Sequence, residues 1–219
     1  MDNMKHKPYG FYERFIKRPQ DFLCALAAII VLSPILIVTA ILVRIKLGSP
    51  VLFTQERPGK DEKIFKLYKF RSMTNQRDEN GKLFPDDVRL TKFGRILRST
   101  SIDELPELLN IIKGDMSIVG PRPLAVSYLR YYTDEEHHRH DVRPGLTGLA
   151  QISGRNNISW EQKFSYDLQY ISDISLWEDV KILFLTVVKV FRREGIGQGK
   201  AAPVSLSIER KHLEAEKDV

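Results

Sequence analysis

The chain has 219 residues, 28% of them charged, with a formal net charge of +6 and a pI near 9.3. That length holds one domain plus a membrane element, and the basic balance points to an anionic partner: nucleic acid, anionic lipid or a phosphorylated substrate. The single cysteine, Cys24, excludes an internal disulfide.

Phe22 to Val43 carries no formal charge and is bounded by Asp21 and Arg44. A straight helix needs about 20 apolar residues to cross a bilayer, so the run is long enough. It exceeds the roughly 7–15 residues of a signal-peptide core, and no small-residue cleavage site follows. Ser33-Pro34 lies at its centre, where proline removes a backbone donor and a hydroxyl can satisfy the freed carbonyl. Lys5, Lys7, Arg14, Lys17 and Arg18 precede the run; Arg44, Lys46, Arg57, Lys60 and Lys63 follow it. Basic residues favour the cytoplasmic side, and here both flanks qualify. Two arms of about a dozen residues would each reach some 16–18 Å, roughly one leaflet. We therefore expect a re-entrant membrane hairpin turning at Ser33 and Pro34, with an ordinary kinked span as the competing reading.

Gly48-Ser49-Pro50 marks a break. Val51–Gln55 and Ile64–Phe70 are β-prone runs separated by Pro58-Gly59, the pattern of a β-hairpin. Asn80-Gly81 falls in a polar loop, and Leu90–Leu97 reads as a basic helical segment. Next comes Ser101-Ile-Asp-Glu-Leu-Pro-Glu-Leu-Leu-Asn110. Ser101 and Glu104 have capping-box spacing ahead of an apolar series at Leu105, Leu108, Leu109 and Ile112. Asp103 then sits at a helix mouth, where free N–H groups and the dipole favour an ionised carboxylate able to act as nucleophile or metal ligand. Pro106 either makes that turn irregular or starts the regular helix itself. Simple helix capping is the bland alternative for both acids.

Gly114 closes this helix, and Pro121-Arg122-Pro123 forms a stiff extended element that fixes the direction of Arg122. Val126–Tyr132 and the charged stretch after it read as helical. His137, His138 and His140 lie among acids and Arg139, as on a solvated helix face, and no Cys/His zinc pattern occurs. Arg143–Asn157 is rich in loop glycines, with room for a short strand. Leu176–Phe191 is apolar but interrupted by Lys181 and Lys189. Trp177, Phe184 and Phe191, with Lys189, Arg192 and Arg193 near one end, suit a helix lying in the membrane interface; packing on the domain core is the alternative. Gly195-Ile-Gly-Gln-Gly199 has the wrong spacing for a phosphate loop and reads as a linker. Lys69, Arg71, Arg98, Arg122, Arg143 and Arg155 are single surface charges if taken one by one; together they form a candidate diphosphate clamp. The expected architecture is α+β and predominantly helical. Residues 1–47 form the membrane-associated segment, 48–194 the catalytic domain and 195–219 a flexible charged tail.

The order of these stretches closely resembles the bacterial sugar transferase family, the monotopic polyprenyl-phosphate phosphoglycosyl transferases. Ser33-Pro34, Phe53–Gly59, Tyr68–Met73, Ser101–Asn110, Lys113–Ser117, Gly120–Pro123 and Arg143–Gln151 carry the resemblance, extended by Gly154–Asn156 and Lys163–Tyr170. It covers roughly Phe11 to Arg193 and is strongest for the short, phospho-diacetylbacillosamine transferase type. One departure is Leu149, where relatives frequently carry tryptophan. The resemblance implies a UDP-sugar donor and a polyprenol phosphate acceptor such as undecaprenyl phosphate, giving a polyprenyl-diphosphate sugar and UMP. It further implies Mg2+, a covalent phosphosugar on Asp103, and Glu104 as metal partner beside Asp103. Lys69, Arg98, Arg122, Arg155 and Asp179 match the family's substrate-binding positions, with Asp167 and Asp173 competing for the last. Implied surroundings are membrane lipids, downstream glycosyltransferases as candidate partners, and the cytoplasmic face of the bacterial inner membrane. A non-catalytic membrane scaffold of a polysaccharide assembly complex is the alternative; it has no chemical need for the acidic pair. Nucleic-acid binding fits worst, because acids interleave the basic residues and an apolar run accompanies them.

Overall fold

The charge-free run folds as one helix. In a computed structural model, which describes residues 6–154, 158–192 and 205–210, a π-helical turn (Tyr12–Ile16) leads into α1 (Lys17–Lys46). Ser33 Oγ donates to the Ile30 carbonyl at 2.8 Å. Ile30 is four residues before Pro34, so the hydroxyl supplies the bond that the proline cannot make. The expected division into two arms is accordingly not seen as a break: α1 stays helical through Pro34, and it is long and apolar enough to cross a membrane. Ile30, Val31, Ile35, Ile37 and Val38 in its middle are exposed.

Both ends of α1 pack on the same folded unit. Arg18 donates to the carbonyls of Ile111 and Ile112 at 2.7 and 3.0 Å. Asp21 accepts from the Ser117 hydroxyl and, at 3.2 Å, from the Ile118 N–H. Ala25 joins Leu67, Leu108, Ile111 and Met116 in one core cluster, and toward the other end Val43 and Leu47 join Phe70 and Leu97 in another.

Strands β1 (Leu52–Pro58) and β2 (Ile64–Phe70) pair antiparallel, with Phe53 opposite Lys69 and Pro58 opposite Ile64. β1 thus runs three residues past the expected end at Gln55. Pro58 is accommodated because β1 belongs to a two-stranded sheet and is an edge strand. After the short α2 (Asp86–Arg89), α3 (Lys92–Ser99) starts at Thr91, whose side chain accepts from the Gly94 N–H. A Cβ on Gly94 would lie 1.8 Å from the Ser72 carbonyl oxygen. Glycine alone lets α3 approach the exit of β2 this closely.

A 3-10 turn (Ile102–Glu104) joins α3 to α4 (Glu107–Lys113), which ends at Gly114 with φ +94°. β3 (Ser117–Val119) and β4 (Gly145–Thr147) form a parallel pair in which Ser117 faces Gly145 and Val119 faces Thr147. Between them lie a 3-10 segment (Val126–Tyr131), α5 (Asp134–His137) and another 3-10 turn (His138–His140). α6 (Leu149–Ser153), absent from the sequence reading, precedes α7 (Trp160–Ser172) and α8 (Leu176–Arg192). Val119, Ile152, Tyr170, Ile171, Ile174 and Ile182 form the core beneath them. The architecture is mixed and mostly helical, as expected.

Residues 205–210, inside the segment read as a charged tail, pack back on this unit. α9 (Leu206–Glu209) buries Leu206 among Tyr131, Tyr132, Trp160 and Phe164. Arg210 pairs with both oxygens of Glu136 and, at 3.1 Å, with Glu161. The Gly195–Gly199 linker lies outside the described residues.

Candidate active site

Ser101 does not cap a helix. It adopts a left-handed conformation (φ 55°) and its side chain makes no cap bond. The regular helix starts at Glu107 after Pro106, leaving Asp103 and Glu104 in the preceding 3-10 turn. Glu104, freed from a capping role, reaches across the fold instead. Its Oε1 accepts from Lys69 Nζ at 2.9 Å and from Arg122 at 2.6 Å. Lys69 comes from β2 and Arg122 from the Pro-Arg-Pro element, so three separate segments converge on one oxygen.

Burial raises the Glu104 carboxyl, but Arg122 and Lys69 outweigh it and hold the group well below the ordinary carboxylate range. The Glu104 charge in turn raises the Arg122 guanidinium. Asp103 is buried and has no ion pair among the described residues. Burial first, and the Glu104 charge second, push its carboxyl up to about 6, opposed by Lys69 and Arg98. Arg98 is held near by a bond from its Nε to Ser72 Oγ at 2.9 Å.

Lys69, Arg98, Asp103, Glu104 and Arg122 are therefore brought together. Asp179 is not with them. It accepts from Tyr12 (2.6 Å), Lys17 (2.5 Å) and Tyr170 (2.7 Å), a buried network tying the start of α1 to α7 and α8. Its competitor Asp167 pairs with buried Arg139 at 2.7 Å, while Asp173 accepts from Tyr9 at 3.1 Å. Arg155 lies outside the described residues. Ser33 and Pro34 sit in the middle of α1.

Three residues of this region escaped the sequence reading. Glu107, almost wholly buried, shares Lys69 with Glu104 at 3.1 Å, and burial pushes it up to about 7. The available signal was a third acid one turn after Glu104, on a helix face it shares with Leu108, Asn110 and Ile111. Arg57 approaches the same cluster: burial first, then Arg122, lower its pKa, and its Nε has no partner among the described residues. Gln151 likewise buries both carboxamide atoms without a partner there. Beside Glu104 and Arg122 lies a cavity of about 440 Å3, whose walls include Ile118, Leu146, Gln151, Leu183 and Val190.

No group of three or more His, Cys, Asp or Glu side chains arranged to hold a metal occurs among the described residues. The donor set nevertheless fits Mg2+, which takes one or two carboxylates together with substrate phosphates. Asp103 and Glu104 offer adjacent hard oxygens, and Asp103 has a raised carboxyl that a cation would relieve.

The profile of the bacterial sugar transferase family matches residues 12–193. An uncharacterized sugar transferase, EpsL, of Bacillus subtilis is 55% identical over 183 residues, covering 84% of this chain and 91% of that protein. The UDP-glucose:undecaprenyl-phosphate glucose-1-phosphate transferase of Klebsiella pneumoniae is 44% identical over 194 residues, 84% of this chain. The undecaprenyl-phosphate galactose phosphotransferase of Salmonella typhimurium is 38% identical over 199 residues, 83% of this chain. The chain spans 42% of the length of each of these two enzymes. With the profile covering most of its length, the chain belongs to the bacterial sugar transferase family.

Proposed function

We propose that the protein transfers a sugar 1-phosphate from a UDP-sugar to a polyprenol phosphate such as undecaprenyl phosphate, releasing UMP. The observation that carries this reading is the pairing of a buried carboxylate with no ion pair among the described residues, Asp103, with a neighbour, Glu104, clamped by Lys69 and Arg122. The names of the Klebsiella and Salmonella relatives support it, since both act on undecaprenyl phosphate.

Asp103 is the nucleophile of a two-step exchange. Its carboxylate attacks the sugar-linked phosphorus, the phosphoanhydride bond breaks, and UMP leaves with the bonding pair. The acceptor's phosphate oxygen then attacks the same phosphorus and displaces Asp103. Splitting the exchange lets the soluble nucleotide depart before the lipid reacts. Lys69, Arg98 and Arg122 bind and orient the diphosphate, and their charges stabilise the developing oxyanions. Mg2+, held by Asp103 and Glu104 when bound, would neutralise phosphate charge. Glu104 stays ionised throughout, whereas Asp103, raised to about 6, is ionised at neutral pH and remains basic enough to attack.

The site works at a membrane surface. Anchoring of Arg18, Asp21 and Ala25 and of Val43 and Leu47 to one folded unit supports a re-entrant placement, both ends of α1 on the cytoplasmic side of the inner membrane. A simple span would carry one end away from the domain. Cysteine accessibility at Lys7 and Lys60 substitutions, in a Cys24→Ser background, should show labelling from the same side; opposite-side labelling defeats the topology. The activity is tested by UMP release from a panel of UDP-sugars in the presence of undecaprenyl phosphate. Acceptor-dependent release with at least one sugar is expected, and none with any sugar would favour a scaffold.

A further inference from the structure

We infer that the cavity beside Glu104 is the lipid subsite: it receives the first isoprenoid units of the acceptor and delivers the lipid phosphate toward Arg122. This rests on the transferase reading above. The cavity holds about 440 Å3, within the range of small-molecule sites. Its lining is mixed: Glu104, Arg122, Gln151 and Lys189 are among its polar residues, whereas Ile118, Leu146, Leu183 and Val190 are among its apolar ones.

A sugar or nucleobase placed against those apolar walls would leave polar groups unpaired, at about 1–3 kcal/mol each. The threonines there are already committed. Thr147 and Thr186 bond each other at 2.7 Å, and Thr186 also donates to the Ile182 carbonyl at 2.7 Å. Gln151, whose carboxamide has no partner among the described residues, adds to the polar lining. A Cβ on Gly148 would lie 2.9 Å from its Oε1 and 2.2 Å from the carbonyl oxygen of Gly120, two residues before Arg122.

What makes the occupant a lipid is continuity with the surface. On α8, Trp177, Val180, Phe184 and Val187 are exposed at three- and four-residue intervals, one unpartnered apolar stripe. Leu183 and Thr186 of the same helix line the cavity. Val190 does both: it lines the cavity and is exposed at the end of the stripe. A chain lying along the stripe can therefore enter at Val190, past the neighbouring Lys189, which also lines the cavity.

Two variants of the full-length protein in phosphatidylethanolamine–phosphatidylglycerol nanodiscs test this, with the half-reactions measured separately. Leu183→Trp fills the cavity; Val190→Trp obstructs its mouth from a partly exposed position that the fold tolerates. The first half-reaction is read as covalent adduct from the UDP-sugar that supports UMP release, without acceptor. The second is read as discharge of that adduct by undecaprenyl phosphate. Both variants should form adduct as wild type does, while KM for undecaprenyl phosphate rises about tenfold, the effect of an overpacking cost of 1–3 kcal/mol. Should Leu183→Trp misfold, Val190→Trp decides alone. An unchanged acceptor KM would overturn the assignment. Loss of adduct in folded Val190→Trp would also overturn it, giving the cavity to the nucleotide sugar. Absence of adduct in the wild type, by contrast, would sink the covalent reading on which it rests.

Discussion

Two carboxylates, Asp103 and Asp179, are both buried, and they differ in how their charge is met. Asp179 accepts from Tyr12, Lys17 and Tyr170, so its charge is fully engaged. Asp103 has no ion pair among the described residues and lies beside a second carboxylate. Burial of a charge is costly unless it is compensated. The first site spends its interactions on holding three helices together; the second keeps a buried carboxylate without an ion pair among the described residues, at the expense of stability. A buried acid marks chemistry when it lacks an ion pair next to one that has two.

The largest effect expected from this contrast is at Asp103. Asp103→Asn keeps the shape and removes the nucleophile, so turnover should fall by at least about 10^3-fold in a UMP-release assay. The same substitution should stabilise the fold. A carboxyl raised from 3.8 to about 6 contributes stability below its unfolded pKa that is lost as pH rises through about 6. Removing it should therefore raise the melting temperature at pH 7, by at most the equivalent of about 3 kcal/mol. In wild type, kcat/KM for the UDP-sugar should fall about tenfold per pH unit below 6, where Asp103 protonates, provided Glu104 stays ionised.

Glu104→Gln should cost about 100- to 1000-fold in turnover, because Lys69 and Arg122 lose the anion that positions them. Extra Mg2+ should rescue it poorly. Retained turnover would mean that the clamp is structural only. Asp179→Asn should act in the opposite sense to Asp103→Asn. It strands Lys17 in a largely buried position, so stability should drop by about 3–5 kcal/mol while adduct formation by the remaining folded protein persists. A stable Asp179→Asn protein unable to form adduct would return Asp179 to the substrate site.

The β-hairpin and the helix after Pro106 were legible because each depends on local rules of proline, glycine and alternation. The convergence of Lys69 and Arg122 on Glu104 was not, since it joins segments 35 and 18 residues away in sequence. Capping shows the limit of spacing most clearly. Thr133 with Glu136 and Ser159 with Gln162 form capping boxes, whereas Ser101 with Glu104 has the same spacing and forms none. A left-handed Ser101 and the pull of two distant cations decide that case. The smallest predicted effect follows: Ser159→Ala should cost about 1 kcal/mol in thermal or denaturant unfolding, and Ser101→Ala close to nothing. Family resemblance identified the acidic pair and its basic neighbours, but Glu107 and Arg57 required the assembled fold.

Intact-protein mass spectrometry with peptide mapping, after incubation with UDP-sugar and Mg2+ in the absence of acceptor, tests the central claim most directly. The account predicts a single phosphosugar adduct on Asp103 that undecaprenyl phosphate discharges and that Asp103→Asn lacks. A competent adduct on another residue, or full turnover by Asp103→Asn, would contradict it.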